Sequence, residues 1–312
     1  MSPGRQNSGA AASAPGALAR PGACSIPPVE PIPAPATRDR PSPSRGGADP
    51  LSALAPFYDL DVDGYDADID LYRVLASQVT RRGARPATVL ELGCGTGRVA
   101  EALGRAGHPV TAVDVSAAMI ARCRERCRGL PVRGLRGDMR ALDLGERFRL
   151  VLVPLGGLEH MESAVALASA LSTVERHLAP GGLAVVDVAA PQPEDLAPGA
   201  QPLVQGWTRE LPSTGGAAAS SVTKLVSLEA RPSEGLRNVT WHFDVQPQGG
   251  ALERVTVRFS LRMSTAGERE LAAALAGLRV TGWYGDYELT PLADDAARIV
   301  ATLRRSRRRR GP

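Results

Sequence analysis

Residues 89–98 read VLELGCGTGR, a short apolar run followed by glycines at positions 93, 95 and 97. Glycines between a strand and a helix allow a tight turn, a close backbone approach to a ligand, and amide groups that point at it. A dinucleotide-binding loop of the form G-x-G-x-x-G would place its third glycine at position 98, where this chain has Arg98. The run therefore predicts a strand, a ligand-binding turn and a helix, and it disfavours a nicotinamide-dependent oxidoreductase.

The segments around this turn alternate between two periods of hydrophobicity. Short β-rich runs and longer runs of helical period follow one another up to position 188. The predicted strands are 88–92, 109–114, 131–135, 148–154 and 183–188, and the predicted helices are 66–81, 99–107, 116–128 and 161–178. Strands that alternate with helices of about ten residues are typical of βαβ units, so a parallel sheet with right-handed crossovers is expected.

From position 203 the hydrophobic pattern changes to a period of two, and turn-forming segments replace the helices. The predicted elements there are antiparallel strands at 222–228, 238–245 and 254–263, then a helix at 268–276 and strands at 278–283 and 298–303. The predicted fold class is therefore α/β, a Rossmann-like doubly wound fold. Its seven-stranded sheet is mostly parallel and carries an antiparallel β insertion after strand five.

The composition divides the chain into five parts. Residues 1–50 are rich in Pro, Ala and Gly and are predicted to be a disordered tail, and residues 304–312 form an Arg-rich tail. Residues 51–202 are predicted to form the core with an N-terminal helical lid. The antiparallel insertion is assigned to residues 203–263, and the end of the core sheet to residues 264–303.

The formal net charge of +4 comes from the tails. Six arginines and no acidic residue lie in 304–312, and residues 1–50 carry five arginines against three acids, so the body between them is mildly acidic. A short arginine run beside an acidic body is usually a solvated tail, and nucleic acid is not the expected partner. A nucleic-acid-binding protein or nucleic-acid methyltransferase that uses this tail is the alternative from another class.

The cysteines and the apolar runs bear on metal binding and location. Cys24, Cys94, Cys123 and Cys127 lack the paired spacing of a zinc site, so free thiols and no metal are expected. No apolar run approaches the roughly 18 residues of a membrane span, and the N-terminus lacks the apolar core of a secretory signal. A cytoplasmic protein without a membrane partner is predicted.

Four motifs, in order, resemble those of the class I S-adenosyl-L-methionine-dependent methyltransferases. They are Glu91-Leu92-Gly93-Cys94-Gly95-Thr96-Gly97, Asp114 at the end of the second predicted strand, Gly137-Asp138-Met139 after the third, and Leu178-Ala179-Pro180-Gly181-Gly182 before the fifth. The resemblance covers roughly residues 55–190. It implies that S-adenosylmethionine is the cofactor.

The resemblance also implies roles for single residues around that cofactor. It assigns the methionine part to Glu91, Gly93, Gly95 and Gly97, the ribose to Asp114, the adenine faces to Met119 and Met139, and the adenine amine to Asp138. Tyr58 and Tyr65 are candidates to close over the cofactor, with ordinary packing of the two rings as the alternative.

The segment after the fourth predicted strand bears on the methyl acceptor. It reads PLGGLEH, residues 154–160, and lacks the Asn/Asp-Pro-Pro-aromatic motif of relatives that methylate bases or protein amides. The chain resembles bacterial small-molecule methyltransferases of the glycine, sugar-amine and natural-product types, which implies N- or O-methylation of a small-molecule acceptor. His160 is a candidate general base, with a structural hydrogen bond at a helix start as the alternative.

The insertion at 203–263 is predicted to be the cover of the acceptor. As such a cover it is expected to govern acceptor selection while leaving cofactor affinity nearly untouched. Its alternative is a dimerisation surface, which would make the protein a homodimer. Trp241, Trp283 and Tyr287 are expected to be core or lid residues rather than acceptor contacts, and the sequence shows no aromatic cage.

Overall fold

Six helices and twelve strands make up the fold in a computed structural model, which describes Asp49 and residues 51–62, 64–80, 85–211 and 220–306. The helices are α1 Ala55–Asp61, α2 Ala67–Val79, α3 Arg98–Arg105, α4 Ala117–Arg126, α5 Ala164–His177 and α6 Ala266–Leu275. The strands are β1 Val89–Leu92, β2 Val110–Asp114, β3 Val132–Arg136, β4 Phe148–Val153, β5 Leu178–Ala189, β6 Gly199–Ala200, β7 Val204–Leu211, β8 Ser220–Arg231, β9 Leu236–Pro247, β10 Glu253–Arg262, β11 Leu278–Tyr284 and β12 Arg298–Arg305.

Seven of the strands form one sheet in the order β11-β12-β5-β4-β1-β2-β3. The strands β1 to β5 pair in parallel, whereas β12 is antiparallel to both β5 and β11. The order reverses between β1 and β4, and a ligand site in such a sheet lies beyond the carboxyl ends of the strands at this reversal. The predicted fold, with a mostly parallel seven-stranded sheet, is confirmed.

The helices cover both faces of this sheet because its central strands are apolar on both sides. All four residues of β1 are buried, and one core cluster joins Leu103 of α3 to Leu150 of β4. A second cluster joins Leu171 of α5 to Leu90 of β1 on the other face. Helix α4 begins after Ser116, whose side chain accepts a hydrogen bond from the Met119 amide and so caps the helix.

The insertion forms a separate antiparallel sheet in the order β10-β9-β8-β6, with β7 also paired to β8. The three strands predicted from the sequence correspond to β8, β9 and β10. The prediction did not include β7, whose residues are mostly exposed and therefore lack an apolar face that a pattern of period two could reveal.

Helix α1 lies where the two sheets meet. Its Phe57 stacks on Phe243 of β9 with 4.5 Å between ring centroids and an interplanar angle of 12°. One core cluster unites Leu54, Phe57 and Met119 with Val222 and the other inward-facing residues of the second sheet. The N-terminal helical segment is thus packed between the core that contains the seven-stranded sheet and the second sheet formed by the insertion.

The last strand is longer than predicted, because β12 ends at Arg305 rather than at position 303. Arg304 donates to the carbonyl oxygens of Gly181 and Gly182, and Arg305 forms an ion pair with Glu175. The first two arginines of the predicted tail therefore belong to the core sheet. Residues 307–312, 1–48 and 50, which belong to the predicted tails, lie outside the described residues. Within the described ranges, no helix has the length and apolar character to cross a bilayer.

Candidate active site

A cavity of about 890 Å³ lies between the carboxyl ends of the core strands and the second sheet. Its walls come from α1, the glycine loop, the ends of β2 and β4, and the strands β8, β9 and β10. Of the residues selected from the sequence, it brings together Tyr58, Glu91, Gly93, Gly95, Asp114, Met119, Asp138, Met139 and His160. Its volume lies within the range of roughly 300–1,000 Å³ that is usual for small-molecule sites.

The three glycines of the loop have left-handed backbone conformations, but they serve different purposes. Gly93 and Gly95 face the cavity, and a Cβ on Gly95 would lie 3.2 Å from the ring of Tyr58. Gly97 is not among the described residues that line the cavity. A Cβ there would lie 2.6 Å from Cys123 Sγ, so Gly97 allows α4 to pack closely behind the loop.

Glu91 is a buried carboxylate at the end of β1 and the base of the loop. It is 1% exposed, and its Oε2 atom has no hydrogen-bond partner among the described residues. Burial raises the pKa of Glu91 well above its usual value, with the nearby Arg98 opposing this effect. An unsatisfied buried oxygen that lines a cavity suits a ligand that brings a donor or a positive charge.

Asp114 ends β2 beside the same loop. Its Oδ2 accepts a hydrogen bond from the Gly95 amide at 2.9 Å, and its Oδ1 accepts one from the Ser116 amide at 2.9 Å. Burial raises the pKa of Asp114, and these two amide bonds oppose the shift. Because each carboxylate oxygen can accept a second hydrogen bond, the side chain can hold the loop and still receive hydroxyl groups.

The residues assigned to the adenine side lie at the ends of β3 and α4. Asp138 is paired with Arg140 at 2.5 Å, and this hydrogen bond lowers the pKa of Asp138. Met139 lies against the loop, since its Cε atom is 3.2 Å from a Cβ built on Gly93. Both methionines, Met119 and Met139, contribute to the cavity wall.

The two tyrosines selected from the sequence lie in different places. Tyr58 of α1 lines the cavity beside Gly95, and burial raises the pKa of its phenol. Tyr65 is absent from the described residues that line the cavity. Its hydroxyl donates to the hydroxyl of Tyr287 at 3.0 Å, and its ring lies beside the guanidinium of Arg98. The structure therefore places Tyr65 in a packing network.

His160 ends a short 3₁₀ helix, Gly157–His160, that follows β4. Its ring is open to the cavity and lies 5.6 Å from the ring of Phe259 on β10. His160 is partly open to solvent, and desolvation by the neighbouring protein lowers the pKa of its ring below the ordinary value of 6.5. The imidazole is therefore mostly neutral at pH 7 and able to accept a proton.

The second sheet supplies polar groups on the opposite wall that the sequence did not single out. Asn238 of β9 donates to Glu229 of β8 at 3.0 Å and accepts from Ser260 of β10 at 3.1 Å. Trp241 and Arg258 are also among the residues at this wall, and because side chains alternate along β9, Trp241 lies on the opposite face of the second sheet from Asn238. Trp241 lies on the second sheet at the cavity wall, a position compatible with its prediction as a core or lid residue.

A further polar cluster missed by the sequence reading supports the segment after β4. Asp187, fully buried on β5, accepts from the Leu155 amide at 3.1 Å, from Tyr287 at 2.6 Å and from Arg298 at 2.6 Å. Leu155 itself has a left-handed conformation with φ of 45°. One sequence feature could have revealed this cluster. Asp187 is a single carboxylate in the apolar run 185–188, and a buried charge requires partners.

Three thiols lie in or directly behind the loop, with Cys94 inside the loop and at the cavity wall. Cys94, Cys123 and Cys127 are all free and buried, and Cys127 Sγ lies 3.8 Å from the Gly97 carbonyl oxygen. A hydrogen bond with Cys123, together with burial, raises the pKa of Cys127. A protonated, buried thiol is a poor nucleophile, so these side chains act as packing groups of the loop.

The fold and this site define a class of protein. A glycine turn after β1, a carboxylate at the end of β2 and a cavity at the strand reversal together form a site for a nucleoside-bearing cofactor in an α/β enzyme. Residues 89–182 match a family model described as a methyltransferase domain.

Similar proteins narrow the class further. The chain is 29% identical over 236 residues to a dTDP-3-amino-3,6-dideoxy-alpha-D-glucopyranose N,N-dimethyltransferase of Streptomyces fradiae, covering 75% of this chain and 86% of that protein. It is 29% identical over 227 residues to a cypemycin N-terminal methyltransferase of a Streptomyces species, covering 70% of this chain and 83% of the relative. The CcbJ methyltransferase of Streptomyces caelestis has the same fold, with a TM-score of 0.64, 22% identity, and coverage of 83% of this chain and all of that one.

The protein is a class I S-adenosylmethionine-dependent methyltransferase. The resemblance identified in the sequence is thereby confirmed, together with S-adenosylmethionine as the cofactor. The residues of the glycine loop fit this cofactor chemically, because the unpartnered Glu91 oxygen suits its ammonium group.

Proposed function

We propose that this enzyme methylates an amine nitrogen of a small-molecule acceptor held between the glycine loop and the second sheet. The observation that carries the proposal is the shared cavity, in which His160 and the wall of β8, β9 and β10 face the loop. Two relatives that each align over more than two thirds of this chain methylate nitrogen, one on an amino sugar and one at an N-terminus. These names support nitrogen over oxygen as the receiving atom.

The cofactor end of the cavity is assigned to the residues of the loop and its neighbours. Glu91 would receive the ammonium group of the methionine part, and Asp114 the ribose hydroxyls, while it keeps its bonds to the Gly95 and Ser116 amides. Met119 and Met139 would pack on the adenine, with Asp138 toward its amine after reorganisation of the Arg140 pair. When bound, S-adenosylmethionine supplies a methyl group on a positively charged sulfur.

The role of the protein's own groups is to align the acceptor and to take up a proton. An amine attacks only through its free electron pair, so the ammonium form of the acceptor must first lose a proton. His160, neutral and open to the cavity, accepts that proton on a ring nitrogen and passes it to solvent. The second sheet excludes water, and the hydrogen-bonded set Glu229, Asn238 and Ser260, called the Asn238 row, offers both donors and acceptors to a polar acceptor.

The test is a methyl-transfer screen with the full-length protein. Titration calorimetry first establishes that S-adenosylmethionine binds, and tritium transfer is then measured to panels of nucleotide-linked amino sugars, free amines, peptides with a free N-terminus, phenols and acids. Transfer to amines, with mass spectrometry placing the methyl group on nitrogen, is the expected result. Transfer confined to phenols or acids would refute nitrogen as the receiving atom, and no binding of S-adenosylmethionine would refute the cofactor site itself.

A further inference from the structure

Helix α1 has contacts on both sides, although it contains only seven residues. Toward the core, Asp59 accepts from the Thr96 hydroxyl in the glycine loop at 2.6 Å and pairs with Arg126 of α4 at 3.0 Å. Between these contacts and the second sheet, the ring of Tyr58 covers Gly95. The helix therefore forms part of the roof over the glycine loop.

Toward the second sheet, α1 ends in a buried charged contact. Asp61 accepts from Lys224 Nζ with both carboxylate oxygens, at 2.6 and 2.7 Å, and from Trp207 Nε1 at 2.8 Å. The side chains of Lys224 and Asp61 are 8% and 19% exposed. We call Asp61, Lys224 and Trp207 the Asp61 anchor.

The Asp61 anchor is reinforced by contacts on either side. Lys224 Nζ lies 3.5 Å from the ring centroid of Trp241, so the same ammonium group also binds an aromatic face of the cavity wall. Arg209 of β7 donates to the carbonyl oxygen of Leu60, the residue before Asp61. A buried ion pair resists the loss of one partner because the remaining charge is left without compensation.

We propose that Asp61 is a positioning residue through which the second sheet holds α1, and with it Tyr58, over the glycine loop. On this view the insertion contributes to S-adenosylmethionine binding as well as to the acceptor site. The sequence suggested the opposite, an insertion that leaves cofactor affinity nearly untouched. The inference rests on the proposed cofactor site and adds to it the element that closes the site.

A chain of contacts links the acceptor side of the cavity to helix α1. Trp241 lines the cavity on one side and contacts Lys224 on the other, and Lys224 in turn holds Asp61. An acceptor that packs against Trp241 would stabilise the anchored position of α1. By thermodynamic reciprocity, a cofactor that packs against Tyr58 would favour the same arrangement of the sheet.

The test measures the dissociation constant of S-adenosylmethionine by calorimetry in single variants of the full-length protein. Asp61→Ala is expected to raise it at least about five-fold, and Lys224→Met to raise it by a similar factor, because both leave α1 unanchored. The matched control is Asp244→Ala, which breaks the Asp244–Arg254 pair on the same sheet. It is expected to leave the dissociation constant unchanged.

A second measurement separates positioning from a general loss of structure. In a Tyr58→Ala background, Asp61→Ala is expected to change the dissociation constant less than about two-fold, because the ring that it positions is gone. Circular dichroism checks each variant, and Asp61→Asn, which keeps one acceptor oxygen for Lys224 and Trp207 but loses the negative charge, replaces Asp61→Ala if the latter is unfolded. An intermediate loss of affinity is expected for Asp61→Asn.

Two results would overturn the inference. One is wild-type affinity in folded Asp61→Ala and Lys224→Met proteins, and the other is an equal loss with and without Tyr58. Failure of the wild-type protein to bind S-adenosylmethionine is a different outcome, since it would refute the proposed cofactor site.

Discussion

The loop side and the sheet side of the cavity are built in different ways. On the loop side, Glu91, Gly93 and Gly95 lie within five consecutive positions, and Glu91 keeps a buried oxygen without a partner. On the sheet side, the polar groups come from three strands and satisfy one another, as the Asn238 row shows. A side with unsatisfied groups is made for one fixed ligand, whereas a self-satisfied wall tolerates changes of acceptor without rebuilding the core.

His160 lies between these two sides, and its removal is expected to have the largest effect. His160→Gln should lower kcat for an amine acceptor by roughly 100-fold or more, because the proton of the acceptor loses its receiver. The wild-type rate should fall as pH drops through the lowered pKa, below pH 6.5, since the protonated ring cannot accept a proton. Steady-state kinetics against pH would show this limb in the wild type, whereas the variant would keep only the pH dependence set by protonation of the acceptor amine itself.

The matched control for that change is His242→Gln. His242 lies on β9, contacts Thr256 at 2.8 Å and does not belong to the described cavity lining, so its loss should leave kcat unchanged. An undiminished kcat in His160→Gln would remove the histidine from the mechanism.

The next largest effect is expected behind the loop, at Gly97. Gly97→Ala should lower the free energy of unfolding by about 3 kcal/mol, because the added Cβ meets Cys123 Sγ and the left-handed backbone disfavours a side chain. Gly107 has nearly the same backbone conformation with open space around it, so Gly107→Ala should cost only about 1 kcal/mol. Urea denaturation of both variants gives the difference that is due to packing.

Cys123→Ala offers a way to check that cause. Added to Gly97→Ala, it removes the sulfur that the new methyl group meets, so part of the lost stability should return. Equal losses of stability in the Gly97 and Gly107 variants would show that the left-handed backbone conformation alone accounts for the loss, without a contribution from the contact with Cys123.

A smaller effect is expected at Asp114, on the ligand-facing part of the loop side. Asp114→Ala should weaken S-adenosylmethionine binding by roughly 1.5–3 kcal/mol, since it removes hydrogen bonds to a charged acceptor. Calorimetry measures this loss, with Asp143→Ala as the control at an exposed carboxylate that also binds a backbone amide. Unchanged affinity in Asp114→Ala would contradict its assignment to the ribose.

The smallest effect is expected on the sheet side. Asn238→Ala should raise KM for the acceptor by a factor corresponding to about 0.5–1.5 kcal/mol, while the dissociation constant of S-adenosylmethionine stays the same. Gln246→Ala on the same strand is the control, because the Gln246 side chain is exposed and donates to the carbonyl oxygens of Pro247 and Gly250 in the following turn. A loss of cofactor affinity in Asn238→Ala, with acceptor KM unchanged, would contradict the assignment of the loop side to the cofactor and of the sheet side to the acceptor.

The same distinction explains how far the sequence predicted the structure. The order of elements and the seven-stranded sheet followed from the two periods of hydrophobicity, and the loop followed from contiguous glycines. Strand β7 escaped because it is mostly exposed, and β12 was ended too early because Arg304 and Arg305 resemble a solvated tail. Their backbone partners, such as Gly181, are distant in the sequence and become visible only in three dimensions.

In the candidate site, too, the sequence predicted local motifs but not contacts between residues far apart in the chain. Glu91 and Asp114 were selected from a local motif and lie at the cavity, whereas Tyr65, a candidate to close over the cofactor with ring packing as the alternative, contacts Tyr287. Asp61 carried no signal in the sequence, because its partner Lys224 is 163 positions away. Contacts of such separation depend on how two sheets are packed, which no local pattern encodes.

The thiols behind the loop allow its opening to be measured without an engineered probe. Cys123 and Cys127 are buried against Gly97, so an alkylating reagent reaches them only when the loop opens, and their labelling rate measures the free energy of that opening. A ligand that binds only the closed loop slows labelling in proportion to its saturation of the site. Peptide-resolved mass spectrometry of these alkylation rates can therefore rank cofactor analogues before any methyl acceptor has been identified.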